Sequence, residues 1–144
     1  MLIGISKLIS PELLKILMEM GHGDEIVLAD ANFPAANMAS KLVRCDGQPI
    51  PELLEGILKL FPLDQYVEHP TALMDKVAGD TVPTPIWKQY QTIIEASTAI
   101  VEPFEYVERF AFYERAKNAY AIVATGESAQ YANIILKKGV IKEA

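Results

Sequence analysis

Apolar residues recur along this chain in two patterns, one with the spacing of a helix and one with the short runs of a buried strand. Near the N-terminus the helical pattern is carried by Leu13, Leu14, Leu17 and Met18. This spacing predicts a helix with one apolar face. Ser10 and Pro11 mark its start, because a serine side chain caps free N–H groups and proline fits the first turn. We expect this helix to end at Gly21 in a left-handed glycine cap.

The same criteria predict further helices and strands across the rest of the chain. The predicted helices span 51–61, from about 85 to 94, and 109–118. The predicted strands span 25–29, 104–107, 120–125 and 132–137, and 70–77 is ambiguous with a strand slightly favoured. Because helices and strands alternate and no linker or repeat interrupts them, we predict a single α/β domain over residues 1–144, with helices packed on a mostly buried sheet.

Composition narrows the function classes. The 144 residues are 51% apolar, enough for one continuous core, and the net charge of −6 argues against nucleic-acid binding, which requires clustered lysine and arginine. The apolar runs are too short to cross a bilayer, and the N-terminus shows no basic region before a long apolar stretch, so we expect a cytoplasmic protein without membrane partners. The lone Cys45 is interpreted as structural, with a reactive thiol as the less favoured alternative. No glycine-rich phosphate-binding motif occurs.

His22 stands between two glycines in Gly21-His22-Gly23-Asp24, just before the predicted strand 25–29. The flanking glycines leave the imidazole uncrowded, and loops on a rigid scaffold often carry functional side chains. Taken alone, a surface histidine in an ordinary turn explains the motif equally well. The other histidine, His69, is assigned to the surface or to core packing, and Trp87 is assigned to the core.

Asp30 follows the same strand at its other end. It either caps a turn, which is the commoner role, or presents a carboxylate to a ligand. A straight strand would separate His22 from Asp30 by roughly 20 Å, given ~3.3 Å per residue. The two residues can meet only if His22 folds back along a loop or comes from a different subunit.

Two further groups of polar side chains are candidates for ligand binding. Arg109 would share a helix face with Tyr113, and among aromatic neighbours it forms either a packed ion pair or a hydrogen-bonding fork for an oxygen-rich ligand. The aromatic residues themselves are assigned to the core rather than to a sugar platform. Tyr131 and Asn133 are two apart on a predicted extended segment, so they would point the same way. Chance explains an isolated Tyr-x-Asn better than a functional role does.

Five segments stand in a fixed order along the chain. They are 9–14 (ISPELL), 20–26 (MGHGDEI), 30–34 (DANFP), 109–116 (RFAFYERA) and 133–140 (NIILKKGV). Together they resemble the fucose mutarotase family, which is related to the ribose pyranase proteins, and the resemblance runs nearly end to end. The Arg-Phe-x-Phe-Tyr-x-Arg-Ala segment favours the fucose branch over the ribose branch.

The resemblance implies a three-layer α/β/α subunit with a mixed sheet, in a ring-shaped homo-oligomer, typically a decamer, with sites between neighbouring subunits. It implies that His22 is the catalytic histidine. The sugar-binding residues that it implies are Asp30, Arg109, Tyr131, Ala132 and Asn133. Residue 132 is commonly glycine in the family. A main-chain contact there tolerates alanine, whereas a positive φ would not.

The implied activity is interconversion of the α and β anomers of a free monosaccharide, L-fucose above all. Ring opening needs a proton delivered to the ring oxygen and one removed from the anomeric hydroxyl, and histidine can do either near neutral pH. Neither a metal nor an organic cofactor is required. The main alternative is a sugar-binding protein without turnover, accessory to uptake or regulation, and a weaker one is a scaffold whose purpose is its assembly. The choice among fucose, ribose and related sugars stays open.

Overall fold

The computed structural model describes residues 1–143, in which six short strands form one mixed sheet and five helices pack around it. The helices are α1 (Pro11–Glu19), α2 (Ala35–Met38), α3 (Ile50–Leu58), α4 (Pro85–Ser97) and α5 (Arg109–Asn118). The strands are β1 (Glu25–Ala29), β2 (Leu42–Cys45), β3 (Thr71–Met74), β4 (Phe104–Val107), β5 (Ala121–Thr125) and β6 (Ile134–Lys137).

The sheet has the strand order β2-β5-β1-β6-β3-β4. β6 runs antiparallel to both of its neighbours, β1 and β3, and the other pairings are parallel. The five parallel strands therefore end at one edge, the carboxyl edge, where β6 begins. The opposite edge is called the amino edge.

Alternate residues of β1 face two separate apolar layers. Ile26 and Leu28 pack in a cluster with residues of α1, α3 and α4. Val27 and Ala29 pack in a second cluster with residues of α2 and α5. The predicted three-layer α/β/α arrangement with a mixed sheet is thereby confirmed for the subunit.

α1 begins as predicted and ends differently. Ser10 Oγ accepts a hydrogen bond from the Leu13 N–H at 3.1 Å. The helix ends at Glu19, and Met20 is extended with φ −65° and ψ 137°. The prediction of a left-handed glycine cap at Gly21 is therefore wrong. The Lys138 ammonium group donates to the Leu17 carbonyl at 2.9 Å and to the Met20 carbonyl, which satisfies carbonyl groups at the end of the helix without a glycine cap.

The pattern missed α2 and β2. α2 covers little more than one helical turn, and only two of the four side chains of β2 are buried. The predicted start of β6 is two residues too early, and the predicted end of α4 is three residues too early. Cys45 lies buried in β2, as its structural interpretation predicts. Burial raises the pKa of its thiol, so it is a poor nucleophile at neutral pH.

Arg115 joins α5 to two strands of the sheet. Its Nη2 donates to Glu25 Oε2 at 2.6 Å, and its Nη1 donates to Glu105 Oε2 at 2.8 Å. Charge-assisted bonds of this kind are short and directional. They fix α5, and with it Arg109 at the start of that helix, against β1 and β4.

Candidate functional site

A cavity of about 340 Å³ opens at the carboxyl edge and collects three of the residues singled out in the sequence. Asp30 follows β1, and Tyr131 and Asn133 precede β6. The cavity is completed by Asn32, Phe33, Met74, Asp80, Tyr113 and Gln130. Open α/β sheets commonly bind ligands at this edge, and the volume suits a small molecule.

Asp30 and Asn133 are held together by hydrogen bonds. The Asp30 main-chain N–H donates to Asn133 Oδ1 at 2.7 Å, and Asp30 Oδ1 accepts from the Asn32 N–H at 3.0 Å. Burial raises the pKa of the Asp30 carboxyl, and hydrogen bonds from Asn32, Phe33 and Asn133 oppose that rise only in part. The site therefore holds a carboxylate whose charged form is disfavoured by its surroundings.

This raised pKa predicts how replacement of Asp30 changes stability. A carboxyl whose pKa is higher in the folded state binds more protons there than in the unfolded chain, so stability falls as pH rises from the ordinary value of 3.8 through the raised one. Asp30→Asn removes this loss. We expect a higher melting temperature than the wild type at neutral pH and no advantage below the ordinary pKa. A melting temperature below that of the wild type at neutral pH would contradict this.

Tyr131 is fixed at both its side chain and its main chain. Its φ is +55°, unusual for a residue other than glycine. Its phenol donates to Asp80 Oδ2 at 2.6 Å, and this bond raises the pKa of the phenol, which stays protonated at neutral pH. The Trp87 indole N–H donates to the Tyr131 carbonyl at 2.7 Å. Trp87 is thus half-buried support for the cavity rather than only a core residue.

Ala132 is fully buried, and the positive φ of this turn belongs to Tyr131 instead. The backbone at residue 132 therefore does not require glycine. The Ala132 carbonyl accepts a hydrogen bond from the buried Tyr90 hydroxyl at 2.7 Å. Tyr90 anchors the turn that presents Tyr131 and Asn133.

Arg109 shares a helix face with Tyr113, as predicted, and its Nε donates to the Tyr113 hydroxyl at 3.0 Å. Its charge lies near enough to Tyr131 to lower the pKa of that phenol slightly. The assignment of the surrounding aromatic residues to the core holds only for Phe112. Phe110 is 65% exposed and Tyr113 lines the cavity.

His22 lies at the amino edge, in the turn before β1. Its Nε2 is 3.1 Å from Asp64 Oδ1, and its ring centroid is 5.5 Å from that of Tyr66. The imidazole is 46% exposed. His22 does not line the cavity that holds Asp30, so the predicted site residues form two separate groups in one subunit, at opposite edges of the sheet.

Sequence reasoning missed the carboxylate that contacts His22 and several residues that line the cavity. Asp64 is 42 residues from His22, and no spacing or motif links them. Asp80 lies in the irregular segment after β3, and Phe33 and Met74 are apolar residues without a distinguishing motif. The only available signal was that strand ends converge at one edge, which needs the strand order.

Within residues 1–143, no three His, Cys, Asp or Glu side chains are grouped so that they could hold a metal ion. In the same part of the chain, no helix has the length and apolar character needed to cross a bilayer.

Comparison with known proteins decides the family. Residues 3–141 match the model of the RbsD / FucU transport protein family. The chain belongs to this family. Among the family's members, the L-fucose mutarotase of Actinobacillus pleuropneumoniae serotype 5b is 56% identical over 140 residues, which cover 97% of each chain. The human fucose mutarotase is 52% identical, covering 96% of this chain and 93% of that one.

A solved structure extends this similarity to three dimensions. The fucose mutarotase of Streptococcus pneumoniae, crystallised in complex with L-fucose, superimposes with a TM-score of 0.93 at 59% identity. The match covers 98% of this chain and 100% of that one. The RbsD/FucU fold is therefore shared over practically the whole subunit.

Proposed function

We propose that this chain is a cytoplasmic L-fucose mutarotase, which interconverts the α and β anomers of the free sugar by opening and closing its ring. The observation that carries the proposal is the 52–59% identity to fucose mutarotases over nearly the whole chain, one of them crystallised with L-fucose. The polar cavity at the carboxyl edge supports it. We assign sugar binding to Asp30, Arg109, Tyr131, Ala132 and Asn133.

The cavity has a polar side and an apolar side. Carboxylate, amide and phenol groups of Asp30, Asn133 and Tyr131 offer donors and acceptors to sugar hydroxyls. Phe33 and Met74 offer apolar surface. L-Fucose has ring hydroxyls and one methyl group in place of a hydroxymethyl group. We assign its hydroxyls to the polar side and its methyl group to the apolar side.

His22 completes the site from a neighbouring subunit of a ring-shaped homo-oligomer, which we take to be a decamer. Exposed aromatic side chains lie beside both half-sites. Tyr66, next to His22, is 61% exposed, and Phe110, next to Arg109, is 65% exposed. Large apolar side chains at the surface are typical of protein interfaces. An interface that covers both would bring the imidazole of one subunit to the cavity of the next.

Mutarotation requires only a modest rate enhancement from the protein. His22 removes the proton of the anomeric hydroxyl or delivers one to the ring oxygen, the ring opens, and the aldehyde rotates before the ring closes again. General acid–base catalysis supplies about 10²- to 10⁴-fold, or roughly 3 to 5 kcal/mol of barrier. Because mutarotation already proceeds in water, this contribution suffices without a metal or an organic cofactor.

A sugar-binding protein without turnover is the second candidate, and the transport function in the family's description favours it. The same polar groups would hold a sugar in either case. Catalysis requires a proton that moves at each turnover, whereas binding does not. Anomer exchange, not affinity, separates the two functions.

Magnetisation-exchange NMR on free sugars tests the proposed function. We expect the protein to accelerate exchange between the α and β signals of L-fucose, also in the presence of a chelator. L-Galactose, which adds one hydroxyl at the apolar side, should react more slowly than L-fucose, by up to about 10²-fold. D-Ribose should also react more slowly than L-fucose. Binding of L-fucose without faster exchange would instead establish the second candidate.

A further inference from the structure

The segment between β3 and α4 borders the cavity and contributes Asp80 to its lining. Residues 75–84 form neither a helix nor a strand, and residues 77–81 are exposed. Because little apolar surface is buried here, packing alone does not hold the segment in place. Its position beside the cavity depends on its hydrogen bonds, and the Tyr131 hydroxyl group is the partner that the cavity provides.

The Tyr131 hydroxyl group makes two hydrogen bonds to this segment. It accepts the Val77 main-chain N–H at 3.2 Å and donates to Asp80 Oδ2 at 2.6 Å. The bond from Tyr131 lowers the pKa of Asp80, so this carboxyl group is charged at neutral pH and can only accept. A hydroxyl group has one proton and two lone pairs. The proton and one lone pair of Tyr131 are therefore occupied, and one lone pair remains.

Asp80 is oriented by a tight turn of the main chain. Its N–H donates to the Val77 carbonyl at 2.9 Å, and its Oδ1 accepts the Val82 N–H at 3.0 Å. Gly79 precedes it with a φ of +85°, which glycine adopts without strain. Both carboxylate oxygen atoms are thus engaged, and Oδ2 is directed at Tyr131. The turn, rather than a freely rotating side chain, sets the direction of the Tyr131 O–H bond.

Tyr113 is the second phenol that lines the cavity, and it is held in the opposite sense. Its hydroxyl group accepts a hydrogen bond from Arg109 Nε at 3.0 Å. An arginine side chain carries donors only, so this bond occupies a lone pair of Tyr113 and leaves the hydroxyl proton unused. The two phenols therefore present different groups to a ligand: Tyr113 presents a proton, and Tyr131 presents a lone pair.

We propose that Asp80 is a positioning residue that binds the Tyr131 hydroxyl proton, so that Tyr131 contacts the sugar only as a hydrogen-bond acceptor. The sugar group at that point must then be a hydroxyl group that donates its own proton. In this way Asp80 makes the cavity selective for a hydroxyl group at one ring position and keeps Tyr131 out of proton transfer. The contact with the sugar rests on the proposed function, whereas the direction of the Tyr131–Asp80 bond does not.

Carbon-13 NMR of protein labelled at the tyrosine Cζ tests this bond without any sugar. Among the six tyrosines, Tyr131→Phe identifies the signal of Tyr131. We expect the pKa of this phenol to lie above the ordinary value of 10.0, because the Asp80 carboxylate accepts its proton, while the nearby charge of Arg109 opposes the rise. Asp80→Ala should lower the pKa, and Asp80→Asn, which keeps an acceptor without the charge, should lower it less.

Asp75→Asn is the matched control, because it removes a negative charge from the same segment, and the Asp75 side chain accepts the adjacent Lys76 main-chain N–H. This variant should leave the pKa of Tyr131 unchanged. Hydrogen exchange of the Val77 amide shows whether the segment stays beside the cavity, since that amide is bonded to Tyr131. We expect Asp80→Asn to preserve the protection of Val77, so that its effect on the sugar is not caused by loss of the segment.

Kinetics with L-fucose test whether Asp80 acts through Tyr131. Tyr131→Phe and Asp80→Ala should each raise the KM by about three- to ten-fold, the effect of losing one neutral hydrogen bond. Turnover at saturating sugar should stay nearly unchanged in both variants, because Tyr131 transfers no proton. Asp80→Asn should recover most of the affinity. In a Tyr131→Phe background, Asp80→Ala should have no further effect, because its route of action is already gone.

Monofluorinated sugars test the acceptor role of Tyr131 directly. A fluorine atom in place of a ring hydroxyl group cannot donate a hydrogen bond. Among L-fucose analogues fluorinated at one ring position other than the anomeric one, one should bind wild type about three- to ten-fold more weakly than L-fucose. For Tyr131→Phe, the same analogue and L-fucose should bind equally well.

Several results would overturn the proposal. One is a Tyr131 pKa that Asp80→Ala leaves unchanged. Another is a loss of turnover of about 10²-fold or more at saturating sugar in Tyr131→Phe, the effect of removing a proton-transfer group. A third is a set of affinity losses that multiply in the double variant, which would mean that Asp80 contacts the sugar independently. If wild type does not accelerate the exchange of L-fucose, the proposed function fails, while the phenol titration still decides the direction of the Tyr131–Asp80 bond.

Discussion

Replacing His22 with glutamine is expected to slow α–β exchange of L-fucose by about 10²-fold or more, while the affinity for the sugar changes by no more than about three-fold. Glutamine places an amide near the position of Nε2, so it can still donate to Asp64, but it cannot take up and release a proton. The imidazole is thereby removed with little change to the turn. Magnetisation-exchange rates at saturating L-fucose and a binding titration measure the two quantities separately.

Two substitutions in the cavity serve as the contrast. Asp30→Asn and Arg109→Lys should weaken affinity as well as rate, because we assign these residues to holding hydroxyls and lysine lacks the planar fork of arginine. If His22→Gln instead loses binding and keeps its turnover at saturating sugar, His22 is only a ligand contact. Tyr131 would then be the better candidate for proton transfer.

Mixing two inactive variants is expected to restore activity if each site takes His22 from one subunit and the cavity from its neighbour. His22→Gln lacks the imidazole, and Asp30→Ala lacks the cavity carboxylate. In randomly mixed assemblies at equal amounts, about one site in four combines an intact His22 with an intact Asp30, given the repeated interface of a symmetric ring. We expect recovery to about a quarter of the wild-type rate after the variants are unfolded and refolded together.

The controls for this experiment are each variant refolded alone and the double variant mixed with wild type. The first should stay inactive. The second has intact sites only where two wild-type subunits meet, which again gives about a quarter of the rate. If mixing the two single variants restores no activity although the subunits co-assemble, both residues act within one subunit and the proposal of an intersubunit site is wrong.

Much of the fold could be predicted because its elements carry clear local patterns. The bounds of β1 and α5 follow from a buried β-branched run and from an aromatic, alanine-rich segment, and both are as predicted. β2 could not be predicted, because only two of its four side chains are buried and such a short alternation also arises by chance. The reversed direction of β6 depends on pairing with distant strands, which no local pattern encodes.

The candidate site was predictable in one half and hidden in the other. Asp30 and Asn133 stand at strand ends that meet at the carboxyl edge, so their proximity follows once the strand order is known. The length of β1 correctly separates His22 from Asp30. Asp64 could not be found, because it contacts His22 only after residues 62–64 and 137–139 come together beside the turn.

A crystal structure of the assembled protein with L-fucose tests the central claim most directly. The account predicts the sugar in the cavity with its hydroxyls on Asp30 and Asn133, and a ring nitrogen of His22 from a neighbouring subunit about 2.6–3.2 Å from the anomeric hydroxyl, the reach of a general base. A bound L-fucose with every His22 facing solvent, or with His22 of the same subunit reaching the sugar, would contradict it.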